Sequence, residues 1–310
     1  MVIFMKKIKS SVPTRTNSIA LVSEIKEKLL PVYHDPQLRQ QYAWWTLEHI
    51  TGLSQAALIG SPDFQLTEEQ ENKLFFWLDA LVNAHMPIQY LISSVPFNGL
   101  EILVKEPVLI PRPETEEWTL ALCEKLQQLP HKNIEILDLC TGTGCIALTL
   151  AKHLPEANIL ATDISTAAVA LAQKNVAHNA LENITIIESD LFELIPAGQK
   201  FDLIVGNPPY ISPEEWQALD RSVMAWEDKR ALVADDQGLA LIKKIITQTP
   251  AYIRHNKELA EKNIPHLMLE IGHTQAPAVT KLLKDAGYIQ VQIRCDLEGK
   301  NRVVSGRIKE

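Results

Sequence analysis

No stretch of this sequence approaches the roughly 20 consecutive apolar residues that a bilayer-spanning helix needs, so no membrane span is expected. Cysteine is scarce. The four residues Cys123, Cys140, Cys145 and Cys295 include no C-x-x-C pair, which argues against a zinc site or a thioredoxin-like motif. Nor do they suggest a disulfide framework, and a reducing, cytoplasmic setting fits best. The nine histidines are scattered. His266 and His273 flank one expected strand, and no metal site is expected there. An excess of basic charge is also lacking. The net charge of −8 runs against a protein whose main partner is a long nucleic acid, because such proteins carry a basic face. The N-terminal end is basic and acid-free: Lys6, Lys7, Lys9 and Arg15 all precede Glu24, the first acidic residue. Residues 1–17 read as a solvated basic tail. The alternative is an organelle transit peptide, which is basic and acid-poor and would make the protein organellar.

The 310 residues suffice for two domains. A content of 46 % hydrophobic and 22 % charged residues places the chain among ordinary globular proteins. Residues 18–90 read as a helical N-terminal domain. Leu21, Ile25 and Leu29 recur at helical spacing, as do Leu38, Tyr42 and Trp45. Gly52 suits a helix end, and Thr67 with Gln70 makes a capping-box signal for a third helix through Leu74, Trp77 and Leu81. Trp44, Trp45, Phe75, Phe76 and Trp77 are expected to build this domain's core. Residues 91–110, punctuated by Pro96, Gly99 and Pro107, read as a hairpin-like connector. Residues 111–310 form the second domain, opening with a stiff Pro111-Arg112-Pro113 turn into a helix.

From residue 134 onward short apolar runs alternate with helical stretches. The runs are Ile134–Leu139, Ile159–Ile164, Ile184–Ile187, Leu203–Val205 and Leu267–Ile271. This alternation implies an α/β fold, a parallel sheet covered by helices. The last two runs, Ile289–Ile293 and Arg302–Ile308, are joined by a short turn at Glu298-Gly299-Lys300, which permits a hairpin but no parallel crossover. A mostly parallel sheet with a C-terminal antiparallel hairpin is the Rossmann-like architecture of methyltransferases that use S-adenosylmethionine (SAM).

The first strand ends in Asp138-Leu139-Cys140-Thr141-Gly142-Thr143-Gly144, with an acid followed by a glycine-bearing turn that lets a ligand approach the backbone. With Ala147 it also matches G-x-G-x-x-A, so NAD stays open at this step. Asp163 ends the second strand and can accept from both hydroxyls of a ribose, which NAD and SAM share. Asp190, followed by Leu191, ends the third and is placed for an adenine amine. A third acid at a third strand end is more typical of SAM sites. The fourth strand runs into Asn207-Pro208-Pro209-Tyr210. The prolines stiffen the turn and remove two backbone donors, leaving the Asn207 side-chain oxygen and the Pro208 carbonyl to accept both hydrogens of a planar –NH2 group. Tyr210 adds a stacking face. NAD chemistry would leave this tetrapeptide unexplained. Placing the nitrogen in line with an already activated methyl carbon needs no strong general base.

Together, IPRPETE (110–116), DLCTGTGCIAL (138–148), ATDIS (161–165), SDLF (189–192) and GNPPYI (206–211) resemble the protein-(glutamine) methyltransferases, and among them the release-factor glutamine methyltransferases of the HemK/PrmC type. The resemblance covers roughly residues 40–308. It implies SAM held by Cys140–Gly144, Asp163, Asp190, Leu191 and Asn207. It implies a glutamine held by Asn207, Pro208, Pro209 and Tyr210, with Asn207, Pro208 and Tyr210 catalytic. The substrate implied is the Gly-Gly-Gln glutamine of a peptide-chain release factor, met by a monomer, with no nucleic-acid substrate and no membrane. Cys140 replaces a common glycine, Leu191 a frequent tryptophan, and Glu227-Asp228 a usual Glu-Pro. The rival readings are a glutamine methyltransferase acting on a large-subunit ribosomal protein, an adenine-specific nucleic-acid methyltransferase, which would flip its base and carry a basic recognition region, and a non-catalytic module binding a translation factor.

Overall fold

A computed structural model describes residues 17–61, 64–130 and 133–309. The four basic residues of the N-terminal tail lie outside them. The chain divides into two units, Met1–Ile92 and Ser93–Glu310.

The first unit is helical because its apolar residues recur at helical spacing and its caps are satisfied. Helix α1 (Ser18–Leu29) starts on Asn17, whose side chain accepts the Ala20 N–H at 2.9 Å. Helix α2 (Pro36–Thr51) starts on Asp35, with proline in the first turn, and ends at a left-handed Gly52. After α3 (Gln55–Ile59), helix α4 (Glu68–Val82) opens with the expected capping box, Thr67 and Gln70 each accepting the other's backbone N–H. Helix α5 is Ile88–Ile92. Leu21, Ile25, Leu29, Trp44, Leu47, Leu58, Trp77 and Leu81 share one core, where truncating a buried leucine to alanine costs about 2–5 kcal/mol. Not all the aromatics join it. Trp45 and Phe75 are half-buried, and Phe76 is 63 % exposed. On α4 the inward stripe is Leu74, Trp77 and Leu81, and a residue one position before Trp77 is turned about 100° away from it.

The second unit opens with a hairpin, β1 (Ser94–Phe97) against β2 (Leu100–Leu103), then α6 (Pro113–Leu126), again with proline in its first turn. A seven-stranded sheet follows. It contains β3 (Glu135–Leu139), β4 (Asn158–Asp163), β5 (Ile184–Glu188), β6 (Leu203–Gly206), β7 (Leu267–Glu270), β8 (Tyr288–Cys295) and β9 (Asn301–Ile308) in spatial order β5-β4-β3-β6-β7-β9-β8. The first five pair in parallel, and β9 runs antiparallel to both β7 and β8. Strand residues alternate between two cores. Ile136 and Val205 face one with Trp118 and Leu148; Leu137 and Ile204 face the other with Ile242 and Val279.

This order sets the site. The chain lays β4 and β5 on one side of β3, then returns to lay β6 on the other. The strand order therefore reverses between β3 and β6, where open sheets bind ligands. Leu139 pairs with Gly206 across that point, so the loops beginning at Cys140 and Asn207 leave the sheet side by side.

Candidate active site

A cleft of about 270 Å³ opens over these strand ends. Its wall includes Cys140 and Gly142 after β3, Asp163 to Ser165 after β4, Ser189 to Leu191 after β5, and Asn207 and Pro209 after β6. Val108, Asp228, Arg230, Leu241 and Lys244 also line it. Asp163 is held rigidly: its Oδ2 accepts the Gly142 N–H at 2.8 Å and its Oδ1 the Ser165 N–H at 2.9 Å. Burial raises its pKa while those two bonds oppose the rise. Each oxygen keeps a lone pair for a further donor. Behind it Asp138 is fully buried, accepts the Thr141 hydroxyl at 2.6 Å, and is pushed by burial up to about 7, with Asp163 adding to the rise. Burial together with Asp163, Asp138 and Asp190 also raises the Cys140 thiol, which therefore stays protonated and is no nucleophile. Cys140 and Leu191 both sit at positive φ, 58° and 49°.

The tetrapeptide is anchored at both ends. Asn207 Nδ2 donates to Thr115 Oγ1 at 3.4 Å. Thr115 donates to Glu270 Oε2 at 2.7 Å, and Trp118 Nε1 to the same oxygen at 2.8 Å. The Tyr210 hydroxyl lies 3.4 Å from Glu270 Oε1. Glu270 is almost wholly buried, which raises its pKa against the pull of the Thr115 and Trp118 bonds. Pro208 and Pro209 are buried and Tyr210 is half-buried. The Tyr210 carbonyl accepts from Gln275 Nε2 at 2.8 Å, an amide that also reaches the Gln237 carbonyl at 3.0 Å. Gly238, at φ 78°, packs its Cα directly on that Tyr210 carbonyl. The segment carrying Glu227-Asp228 is tied to the IPRP turn by Arg112 Nη2 on Glu227 Oε2 at 2.6 Å, and to the connector before it by the Asp228 N–H on the Pro107 carbonyl at 2.8 Å. The Arg230 guanidinium beside Asp228 holds that carboxyl below its usual range.

Of the residues expected at the cofactor, Cys140, Gly142, Asp163, Asp190, Leu191 and Asn207 share the cleft wall. Thr141, Thr143 and Gly144 lie off it. Thr141 and Thr143 are buried, the first bonded to Asp138 and the second giving its carbonyl to Asn175 Nδ2 at 2.9 Å. At Gly144 a Cβ would stand 2.6 Å from Leu148 Cδ1, so this glycine allows the helix to pack. Pro208 and Tyr210 also sit beside the cleft wall, outside its lining. Glu270, Gly238 and Gln275 escaped sequence reasoning, and the sequence marked Asp138 only as part of the strand end. Glu270 had a signal, being the one carboxylate inside the otherwise apolar run Leu267–Ile271. Nothing local marked Gly238. His266 serves structure: its Nδ1 accepts the Ile308 N–H and its Nε2 meets Arg307. Among the described residues no cluster of three or more His, Cys, Asp or Glu is placed to hold a metal ion, and no helix is long and apolar enough to cross a membrane.

The cleft suits SAM on its own chemistry. Carboxylates at Asp163 and Asp190 offer acceptors for ribose hydroxyls and an adenine amine. Val108, Leu191 and Leu241 offer apolar wall, and the acids favour a sulfonium cation.

Residues 113–250 match the family model described as the methyltransferase small domain, and residues 27–92 match the PrmC N-terminal domain. The release factor glutamine methyltransferase of Flavobacterium psychrophilum is 33 % identical over 290 residues, covering 91 % of this chain and 96 % of the relative. That of Escherichia coli K12 is 39 % identical over 265 residues, covering 84 % and 89 %. The chain belongs to the release factor glutamine methyltransferase family. It is accordingly a methyltransferase, and its cofactor is SAM. Among solved structures, the hMettl16 catalytic domain in complex with a MAT2A 3′UTR hairpin superposes with a TM-score of 0.51 at 17 % identity, covering 79 % of this chain and 83 % of that one. That likeness concerns the fold alone. The PrmC N-terminal match falls on the helical unit and the methyltransferase match on the unit with the cleft.

Proposed function

We propose that this chain transfers the methyl group of SAM to the side-chain amide nitrogen of the glutamine in the Gly-Gly-Gln motif of peptide-chain release factors. The observation that carries this reading is the pairing of Leu139 with Gly206, which sets the carboxylate-lined cleft beside Asn207-Pro208. SAM, when bound, supplies a methyl group already activated by its sulfonium. Asp163 and Asp190 would hold the cofactor's ribose and adenine, with Leu191 as apolar wall beside them. The Asn207 Oδ1 and the Pro208 carbonyl accept the two hydrogens of the substrate amide. An amide lone pair is delocalised and a poor nucleophile, so these bonds, which strengthen as charge develops on nitrogen, lower the barrier together with the fixed approach. Pro208 and Pro209 offer no N–H that would compete as a donor. Tyr210 sits at the end of this acceptor pair and closes the site against Glu270.

The helical unit serves substrate recognition, the enzyme acts as a monomer on a protein rather than a nucleic acid, and it works in the cytoplasm. Mass spectrometry after incubating enzyme, SAM and release factor tests the proposal. One added methyl mass on the Gly-Gly-Gln glutamine is expected. Label confined to a large-subunit ribosomal protein, with none on the release factor, would overturn it.

A further inference from the structure

The IPRPETE segment reaches Asn207 through the Thr115 hydroxyl. Thr115 and Trp118 lie three residues apart on α6 and so share a face. Both donate to Oε2 of Glu270, at 2.7 and 2.8 Å. A hydroxyl has one hydrogen. Because Thr115 gives it to a buried carboxyl, only lone pairs remain toward Asn207. Asn207 answers with Nδ2, at 3.4 Å, and the planar amide then turns Oδ1 the other way. Glu270 Oε1 faces the Tyr210 hydroxyl at the opposite end of the tetrapeptide.

We propose that Glu270, acting through Thr115, is the positioning residue that fixes which end of the Asn207 amide faces the substrate nitrogen. With Oδ1 outward the site presents an acceptor to an –NH2 group. With the amide reversed, two donors would confront each other and no bond would form. The same polarity makes the site reject a carboxylate in place of the amide, since acceptor would then face acceptor. This inference rests on the reading above that Asn207 Oδ1 accepts from the substrate.

The test uses full-length enzyme with release factor as substrate and compares Thr115→Val, which keeps the shape and removes the hydroxyl, with Thr115→Ser, which keeps the hydroxyl. The valine variant should lose about 100-fold in kcat, the scale of a misaligned reacting group, with KM, SAM affinity and Tm close to wild type. The serine variant should stay near the wild-type rate. Glu270→Gln should lower kcat by itself and add little to Thr115→Val in the double variant, because both act on one path. A valine variant with wild-type kcat would overturn the inference. So would full additivity in the double variant, or a loss of SAM affinity matching the loss of kcat. These outcomes leave the proposed function standing if wild type still methylates the release factor. If wild type transfers no methyl to it, the proposed function fails and takes this inference with it.

Discussion

Gly238 holds the Asn207–Tyr210 turn in place by having no side chain. It follows Asp236 and Gln237, both at φ near 60°, and itself sits at φ 78°. A Cβ added there would fall 2.6 Å from the Tyr210 carbonyl carbon, closer still to its oxygen, and 2.8 Å from Gln275 Nε2. Ordinary contact begins at 3.4 Å, so the Tyr210 backbone must withdraw by roughly 0.8 Å or more. That movement strains the Gln275 bond to the same carbonyl and shifts Asn207 to Tyr210 from their positions. Gly238→Ala should therefore cost about 1–2 kcal/mol for the left-handed backbone and about 1–3 kcal/mol for overpacking. A displacement near 1 Å should slow methyl transfer about 100-fold. Gly198 provides the control. It has φ 82°, nothing within 4 Å of its Cβ, and no place in the cleft wall. Gly198→Ala should show only the backbone cost and keep full activity. Urea denaturation and initial rates of methyl transfer measure both. If Gly238→Ala matched Gly198→Ala in stability and rate, the steric reasoning would be wrong.

Three further outcomes are expected. Asn207→Ala should lower kcat about 100-fold or more while calorimetry finds SAM binding nearly intact; a variant methylating at the wild-type rate would remove Asn207 from the mechanism. Asp163→Ala should weaken SAM affinity about 10-fold or more by deleting hydrogen bonds from a charged acceptor, and an unchanged Kd would contradict a ribose role. Asp138 should make stability fall with rising pH. Burial pushes its folded-state pKa up to about 7, whereas an unfolded aspartate titrates near about 3.9. The folded chain therefore binds more protons between about pH 4 and 7, and this contribution to stability declines through that window, by up to roughly 4 kcal/mol, and is flat above it. Denaturation of wild type and Asp138→Asn at pH 5, 6 and 8 should show the difference, and identical pH slopes would refute the assignment.

Much of the fold is legible in local patterns, because caps, spacing and alternation act within a few residues. Thr67 and Gln70 predicted a capping box that is present, and seven apolar runs became the seven strands of the large sheet. Where local pattern failed, the cause was rotation or distance. Phe76 looked like core by composition, but one residue of helical rotation beside Trp77 turns it to solvent. Thr141, Thr143 and Gly144 belong to the glycine-bearing turn without lining the cleft, since a turn needs residues that face inward to hold it.

By sequence alone this chain determined the chemistry at its strand ends: carboxylates at Asp138, Asp163 and Asp190 toward the ends of three strands, then Asn207 and two prolines after the fourth. Each group stands within a few residues of its own strand, so local pattern suffices to place it at a strand end. Only the tertiary structure decided how the groups are held. Glu270 is 155 residues from Thr115 and Gln275 is 65 from Tyr210, and no local pattern couples positions so far apart. The pairing of β7 beside β6, with Leu269 opposite Gly206, brings Glu270 and Gln275 to the tetrapeptide, and burial there turns ordinary hydrogen-bonding side chains into a fixed, directional frame.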